Sequence, residues 1–304
     1  MAFTAKDVVT LRERTGVGMM DCKKALTQAD GDLEKAVEIL REKGLAAAAK
    51  KASRIAAEGL VACYTDDAKK VGVVIEVNSE TDFVAKNADF QGFVAGCAKT
   101  VADTNPADVD ALLETNYEGG SSKVADVLRD KILTIGENLK VRRFERYEGI
   151  TETYIHGGGR IGVMVKFDTT DEAAGTEKFK EFAKDIAMQV AASNPSYNKR
   201  EEVPAEVLDK EKEILKVQAI NEGKPEAIAE KMVAGRVQKF YKENCLIEQV
   251  YIKNNDMSVK QYMDSVSKEI GAPISIAKFA RFEKGEGLQK REDDFAAEVA
   301  KMVK

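Results

Sequence analysis

The sequence predicts an α+β protein, and three observations carry that prediction. A strand-like segment recurs at an offset of 90 residues: Val71-Gly72-Val73-Val74-Ile75-Glu76-Val77 matches Ile161-Gly162-Val163-Met164-Val165-Lys166-Phe167. Each copy is followed by a run of helical period, Phe90, Phe93, Val94, Cys97 and Val101 in the first and Phe179, Phe182, Ile186 and Val190 in the second. Both runs reach Asn-Pro, at Asn105-Pro106 and Asn194-Pro195, where a ring in place of the backbone N–H forbids continuation. Further strand segments, 139–147 and 274–282, echo one another and close on an aromatic-Glu pair with glycine behind it. Two related α+β subdomains follow, over 55–149 and 150–285, each a small antiparallel sheet packed by helices.

In chain order, residues 1–54 read as a three-helix unit with a linker. Val8, Val9 and Leu11 give the first helix a short apolar face, which ends at Thr15-Gly16-Val17-Gly18, where glycine can supply a positive φ. A second helix carries Met19, Met20, Cys22, Ala25 and Leu26. Asp30-Gly31-Asp32 makes a turn with Asp32 as N-cap, and Leu33, Ala36, Val37 and Leu40 repeat with helical spacing. Three short helices with tight turns resemble a ubiquitin-associated domain. The Ala- and Lys-rich stretch 46–57 reads as a helical or flexible linker.

The second subdomain carries an insertion at about 201–243, two helices joined by Glu222-Gly223-Lys224-Pro225. Gly223 suits a helix C-terminus and Pro225 the first turn of the next helix. Ile214, Val217 and Ile220, then Ile228, Met232 and Val233, are expected to give each helix one apolar edge in a projecting antiparallel hairpin. Residues 286–304 form a C-terminal module, with helical spacing of Phe295, Val299 and Met302 and with Asp293 and Asp294 where a helix dipole favours them.

Composition narrows the function. Charged residues make up 33% of the chain, but 47 basic and 52 acidic side chains are interleaved, for a formal net charge of −5. A nucleic-acid surface calls for clustered Lys and Arg, so direct nucleic-acid binding is not expected. The start, MAFTAKDVV, lacks a basic segment leading into an apolar run, and no window approaches the roughly 18 apolar residues of a membrane helix. Cys22, Cys63, Cys97 and Cys245 stand apart with no C-x-x-C pair, which fits reduced thiols and a cytoplasmic setting.

Catalytic chemistry finds no support. The single histidine, His156, excludes a multi-histidine metal site and disfavours a Ser–His triad. Gly157-Gly158-Gly159 beside it lacks the G-x-x-x-x-G-K-[ST] spacing of a phosphate loop and reads as a hairpin turn. Asp66-Asp67 and Glu201-Glu202 read as solvated charge at turns. No enzyme activity, cofactor or metal is expected. Two segments remain odd. Thr81-Asp82-Phe83-Val84-Ala85-Lys86-Asn87 puts an aromatic in a polar connection, and Phe83 either folds back onto the core or protrudes as an anchor for a partner. Met19 and Met20 diverge by about 100° on one helix, so one is expected in the core and the other exposed, where methionine adapts to partner surfaces.

The segment from Leu11 through Leu26, LRERTGVGMMDCKKAL, resembles the amino-terminal signature of the elongation factor Ts family, and Thr81-Asp82-Phe83-Val84-Ala85-Lys86-Asn87 resembles its second signature. Ile135-Gly136-Glu137-Asn138, Tyr154-Ile155-His156-Gly157 and Asp294-Phe295-Ala296-Ala297-Glu298-Val299 are similar to further family segments in the same order, so the likeness spans essentially the whole chain. The inserted hairpin is similar to the longer, coiled-coil form of the family.

That resemblance implies a guanine nucleotide exchange factor that binds elongation factor Tu loaded with GDP and speeds release of the nucleotide. It implies that Asp82 and Phe83, flanked by Thr81 and Val84, are a wedge entering the partner's GTPase domain. Arg12, Met19, Met20 and Phe295 would grip that domain elsewhere, His156 would contact another domain, and Ile135 and Gly136 would lie near the wedge. A homodimer of the complex through the hairpin stays open. So does an alternative function, an adaptor that binds partner helices through its three-helix head without affecting nucleotides.

Overall fold

The computed structural model describes residues 3–223 and 225–289. The helix expected at 293–303, and with it Phe295, lies outside the described residues, as does Lys224. Helices α1 (Ala5–Thr15), α2 (Met19–Gln28) and α3 (Leu33–Lys51) form the head. Thr4 and Asp7 make a reciprocal capping box at α1, and the Asp32 carboxylate accepts from Glu34 N and Lys35 N at α3. Gly16 ends α1 in the left-handed region at φ +67°, whereas Gly18 keeps an ordinary φ of −57°. Val8, Leu11, Val17, Cys22, Ala25, Leu26, Ala36 and Leu40 make the head's core, and Val9 faces outward. The first half of the expected linker is helix. α3 runs unbroken through the alanines at 46–49, residues of the highest helix propensity, and leaves only a short connection before the next strand.

The first subdomain contains β1 (Glu58–Asp66), β2 (Val71–Ser79), α4 (Asp82–Ala85), α5 (Ala88–Thr104), α6 (Val109–Glu114), α7 (Val124–Ile135) and β3 (Lys140–Glu148). The second contains β4 (Ile150–His156), β5 (Ile161–Asp168), α8 (Asp171–Ala174), α9 (Glu177–Ser193), the inserted α10 (Ala205–Asn221) and α11 (Glu226–Asn244), β6 (Val250–Tyr251), β7 (Asn254–Ser258), α12 (Val259–Ile270) and β8 (Ser275–Glu283). The two main sheets are antiparallel, ordered β1-β2-β3 and β4-β5-β8. Their registers repeat each other down to the irregularity: the ladder slips between Glu76 and Val77 in one and between Lys166 and Phe167 in the other, at the same 90-residue offset. Asn105 and Asn194 end α5 and α9 in the left-handed region, which asparagine tolerates better than most residues.

Each sheet packs one face on helices, α5 and α7 against the first and α9 and α12 against the second. The opposite faces pack on each other through Val61, Val74, Tyr147, Met164, Ala280 and Phe282. Layers therefore run helix, sheet, sheet, helix, and every residue of β2 is buried because both its faces are covered. The contact between sheets is itself two-fold. A Cβ on Gly72 would lie 2.8 Å from Met164 Sδ and 2.7 Å from Thr151 Oγ1, and a Cβ on Gly162 would lie 3.2 Å from Val74 Cγ2 and 2.4 Å from Val61 Cγ1. Partner for partner, these are the same contacts exchanged between repeats. Two cations complete the symmetry, the Arg143 guanidinium over the Phe282 ring at 4.3 Å and Lys278 Nζ over Tyr147 at 3.8 Å. Glycine here sets the sheet spacing. Gly162→Val is therefore expected to destabilise by about 2–3 kcal/mol or more through overpacking. Gly92→Ala, on the open face of α5 with nothing near its Cβ, should instead stabilise by about 0.5–1 kcal/mol. Urea midpoints of the two variants test the pair.

The hairpin forms as expected, but its apolar edges are placed differently. Leu215 and Ala219, with Ala229 and Val237, are the buried positions of the two helices, while Ile214, Val217, Ile220 and Ile228 are exposed. Ala219 and Ala229 let the two helices lie close, and Leu215 and Val237 complete the buried seam. Among the described residues, no helix is long and apolar enough to cross a membrane.

Candidate functional site

The strand β2 ends at Ser79, and the chain turns through Glu80 and Thr81 into the single turn of α4. Two carboxylates fix that turn. Glu137 accepts from Glu80 N at 3.0 Å, Thr81 N at 3.0 Å and the Thr81 hydroxyl at 2.6 Å. Glu80 in return accepts from Asn138 N at 2.6 Å and pairs with Arg54 at 3.4 Å, while Asn138 Nδ2 donates to Arg54 O at 2.8 Å. Residues 54, 80–81 and 137–138, distant in sequence, thus form one hydrogen-bonded knot where the head joins the first subdomain.

From the knot, α4 projects its side chains in opposite senses. Val84 is 7% exposed and belongs to the core under α5. Phe83 is 77% exposed, the most exposed of the large hydrophobic side chains described. It does not fold back toward Phe90, because Val84 already occupies the inward position of a one-turn helix. Lys86 reaches back to Asp82 at 3.0 Å, holding that carboxyl below its usual range, and its Nζ sits 5.8 Å from the Phe83 ring centroid. An exposed aromatic on a rigid mount, ringed by one carboxylate and one ammonium, is suited to insertion into an apolar cleft with a polar rim.

Ile135 packs at the edge of the core, and Gly136 ends α7 with φ +88°, which turns the chain so that Glu137 faces the knot. The same helix touches the head: Leu133 packs against the head's core, Thr134 lies beside Gly16, and Lys51 Nζ donates to Ile132 O at 3.3 Å. The head's outer surface presents Arg12, exposed, with Met19 at 40% and Met20 at 64% exposure. One of these methionines was expected in the core. Both lie outside it because Val17, from the preceding turn, is buried at that end, and Cys22, Ala25 and Leu26 form the buried face of α2. α7 therefore links two exposed apolar features, the methionine pair and Phe83, through packed structure.

His156 stands apart from these, at the end of β4. Gly157, Gly158 and Gly159 all have positive φ, and Arg160 N donates to His156 O at 3.1 Å, closing the hairpin turn. The imidazole Nδ1 is 3.1 Å from the Tyr154 hydroxyl, above a groove also lined by Met188, Ile252 and Arg281. The site residues thus fall into three places: the α4 turn with Ile135 and Gly136 behind it, the head's methionine face, and the β4–β5 hairpin.

Sequence reasoning missed Glu137 as a fixing group. Its signals were a place in the family-like segment Ile135-Gly136-Glu137-Asn138 and a position directly after a helix-ending glycine, neither of which names its target 56 residues away. Among the described residues, no group of three or more His, Cys, Asp or Glu side chains is arranged to hold a metal. All four cysteines are free; burial pushes the Cys63 thiol up to about 12 and raises Cys97 as well.

The model of the family described as elongation factor TS matches residues 80–286. The chain is 58% identical over 305 residues to an elongation factor Ts of Clostridium kluyveri, with 99% of each chain covered. It is 55% identical over 305 residues to that of Clostridium tetani, covering 99% of both, and 53% identical over 303 residues to that of Clostridium perfringens, again with 99% of both.

Proposed function

This chain belongs to the elongation factor Ts family and so is a translation elongation factor rather than a catalyst of covalent chemistry, and we propose that it binds elongation factor Tu–GDP in the cytoplasm and drives GDP release. The observation that carries the proposal is Phe83, exposed on a turn that Glu137 and Val84 hold in place. Arg12, Met19 and Met20 grip the partner's GTPase domain, and Phe83 with Asp82 enters that domain beside the nucleotide site. Ile135 and Gly136 back the wedge, and His156 reaches a second domain of the partner.

An exchange factor makes and breaks no covalent bond. It needs a surface that binds the nucleotide-free partner better than the GDP-bound one, and linkage makes the effect reciprocal: the factor weakens GDP by the ratio that GDP weakens the factor. A coupling of about 4 kcal/mol corresponds to a ratio of roughly 10³. In this division of labour the broad grip supplies affinity, and Phe83 directs part of it against the nucleotide.

Release of a fluorescent GDP from purified elongation factor Tu tests the proposal. Acceleration at substoichiometric chain supports it; no acceleration by folded chain with a matched Tu overturns it and favours an adaptor. Met20→Ala is expected to raise the concentration needed for half-maximal acceleration by about five- to thirtyfold, the ordinary range for truncating an interface side chain worth 1–2 kcal/mol. The release rate at saturation should stay near that of the parent. A fall in the saturated rate with unchanged half-maximal concentration would assign Met20 to the release step instead.

A further inference from the structure

The internal repeat supplies a control for every feature of the first subdomain, and it isolates one residue. α4 and α8 are the same one-turn helix in the two copies, each entering the long helix that follows and each burying its third residue, Val84 or Ala173. α7 and α12 correspond as well, ending at Gly136 and Gly271 with φ +88° and +75°, at an offset of 135 residues. The residues after those glycines differ: Glu137-Asn138 in the first copy stand where Ala272-Pro273 stand in the second. The carboxylate knot is therefore confined to one copy.

Its absence from the other is visible atom by atom. Thr170, the counterpart of Thr81, turns its hydroxyl to its own helix and accepts from Ala173 N at 3.2 Å. Thr81 makes no such cap; its hydroxyl turns away from the helix and donates to Glu137. Thr169, the counterpart of Glu80, has a buried hydroxyl with no partner among the described residues. The fold thus builds this turn without a Glu137, using an ordinary cap. In the copy that has the knot, the exposed position carries Phe83; in the copy that lacks it, the same position carries the exposed Glu172. Knot and aromatic occur together and are missing together.

We propose that Glu137 is a positioning residue for Phe83, fixing the entry angle of the α4 turn so that the ring meets the partner in one orientation; this rests on Phe83 acting as proposed above. Three hydrogen bonds to one carboxylate from two consecutive residues leave the Glu80–Thr81 backbone little freedom to swing. Without them the turn retains Val84 and the Glu80 carboxylate's bond from Asn138 N as anchors, so the ring stays exposed but the Thr81 backbone gains room to swing. Binding through the head and the β4–β5 hairpin is untouched, and the step that needs the ring slows.

The experiment is a double-mutant cycle on the full chain, read as GDP release from elongation factor Tu. Glu137→Ala is expected to lower the saturated release rate about tenfold, since small misplacement of a working group is costly in rate, while the half-maximal concentration holds within about twofold. In a Phe83→Ala background the same substitution should add less than about twofold, within the scatter that separates coupled from additive effects. Glu137→Gln should recover most of the rate, because its carbonyl can accept both amides and its NH₂ can donate to the Thr81 hydroxyl. Amide exchange at Glu80 and Thr81, measured without partner, should quicken in Glu137→Ala and not in Glu137→Gln. Equal losses in both backgrounds, or an unchanged rate in Glu137→Ala, would overturn the positioning role. If Phe83→Ala alone leaves release unchanged, the wedge reading fails first, whatever Glu137 does. Should Glu137→Ala fold poorly, Thr81→Val removes the hydroxyl's bond alone and carries the same cycle.

Discussion

Phe83→Ala is expected to slow GDP release from elongation factor Tu by about 30- to 1000-fold while weakening formation of the nucleotide-free complex much less. The range follows from a buried aromatic anchor being worth roughly 2–4 kcal/mol, converted at 1.4 kcal/mol per tenfold. Direction follows from geometry. The ring is 77% exposed in the free chain, so truncation removes almost no packing from the chain itself. Folding stability should stay within about 0.5 kcal/mol of the parent, as for other surface changes. The loss thus belongs to the complex, and stopped-flow release with a separate affinity measurement divides it between the two steps. Phe83→Leu, which keeps apolar volume without the flat ring, should fall between. Equal losses in release and in affinity would mean that Phe83 is one more gripping contact.

Glu76→Ala is expected to destabilise the fold by about 3–5 kcal/mol, the cost of removing one partner from a buried ion cluster. Glu76 is fully buried on β2, the central strand of the first sheet. Its carboxylate accepts from Arg142 at 3.0 Å, Arg143 at 2.6 Å, Asn78 Nδ2 at 3.0 Å and the backbone N–H of Gly285 at 2.8 Å. Without it, two guanidinium groups, the Asn78 side-chain amide and the Gly285 N–H lose one acceptor together. Arg142 and Arg143 also hold Glu286, so the connection after β8 should loosen as well.

The same cluster sets a pH dependence. Burial pushes the Glu76 carboxyl upward, but the bonds from Gly285, Asn78, Arg143 and Arg142 outweigh burial and hold it below its ordinary value. A carboxyl lowered on folding contributes stability that is fully present above its unfolded pKa, about 4.3, and is lost as pH falls through the folded value. Urea unfolding of the parent and of Glu76→Gln should therefore differ most at neutral pH and converge below about pH 4. A gap that stayed constant down to pH 3 would locate the stabilisation in shape rather than charge.

Both sites show how far the sequence reaches. Strand and helix periodicity, the Asn-Pro stops, the Asp32 cap and the 90-residue repeat identified element types and the duplicated core, because each is a short-range property of the chain. An aromatic in a polar connection and two adjacent methionines on one helix singled out Phe83 and the methionine pair, and the family-like segments contain both. Periodicity says that a face is apolar but not what will cover it. Met19 and Met20 went to solvent because Val17 closed the head, and Ile214, Val217 and Ile220 went outward because Leu215 and Ala219 hold the seam on their helix.

The tertiary structure alone decided the rest. Glu76 reads from sequence as a polar residue interrupting an apolar strand, and its repeat partner Lys166 gives no hint of a buried anion. Its donors are Asn78 on its own strand, two arginines on the neighbouring strand and a backbone N–H 209 residues away. Glu137 reads as a surface glutamate after a helix stop, until the fold brings residue 81 beside it. A carboxylate's meaning depends on which donors surround it within hydrogen-bonding distance, and loops of 56 to 209 residues hide those donors from any local pattern. The sequence by itself determined which elements form, that they repeat and where the two copies differ; the tertiary fold decided which donors each carboxylate meets, bringing Glu137 against the Glu80–Thr81 turn.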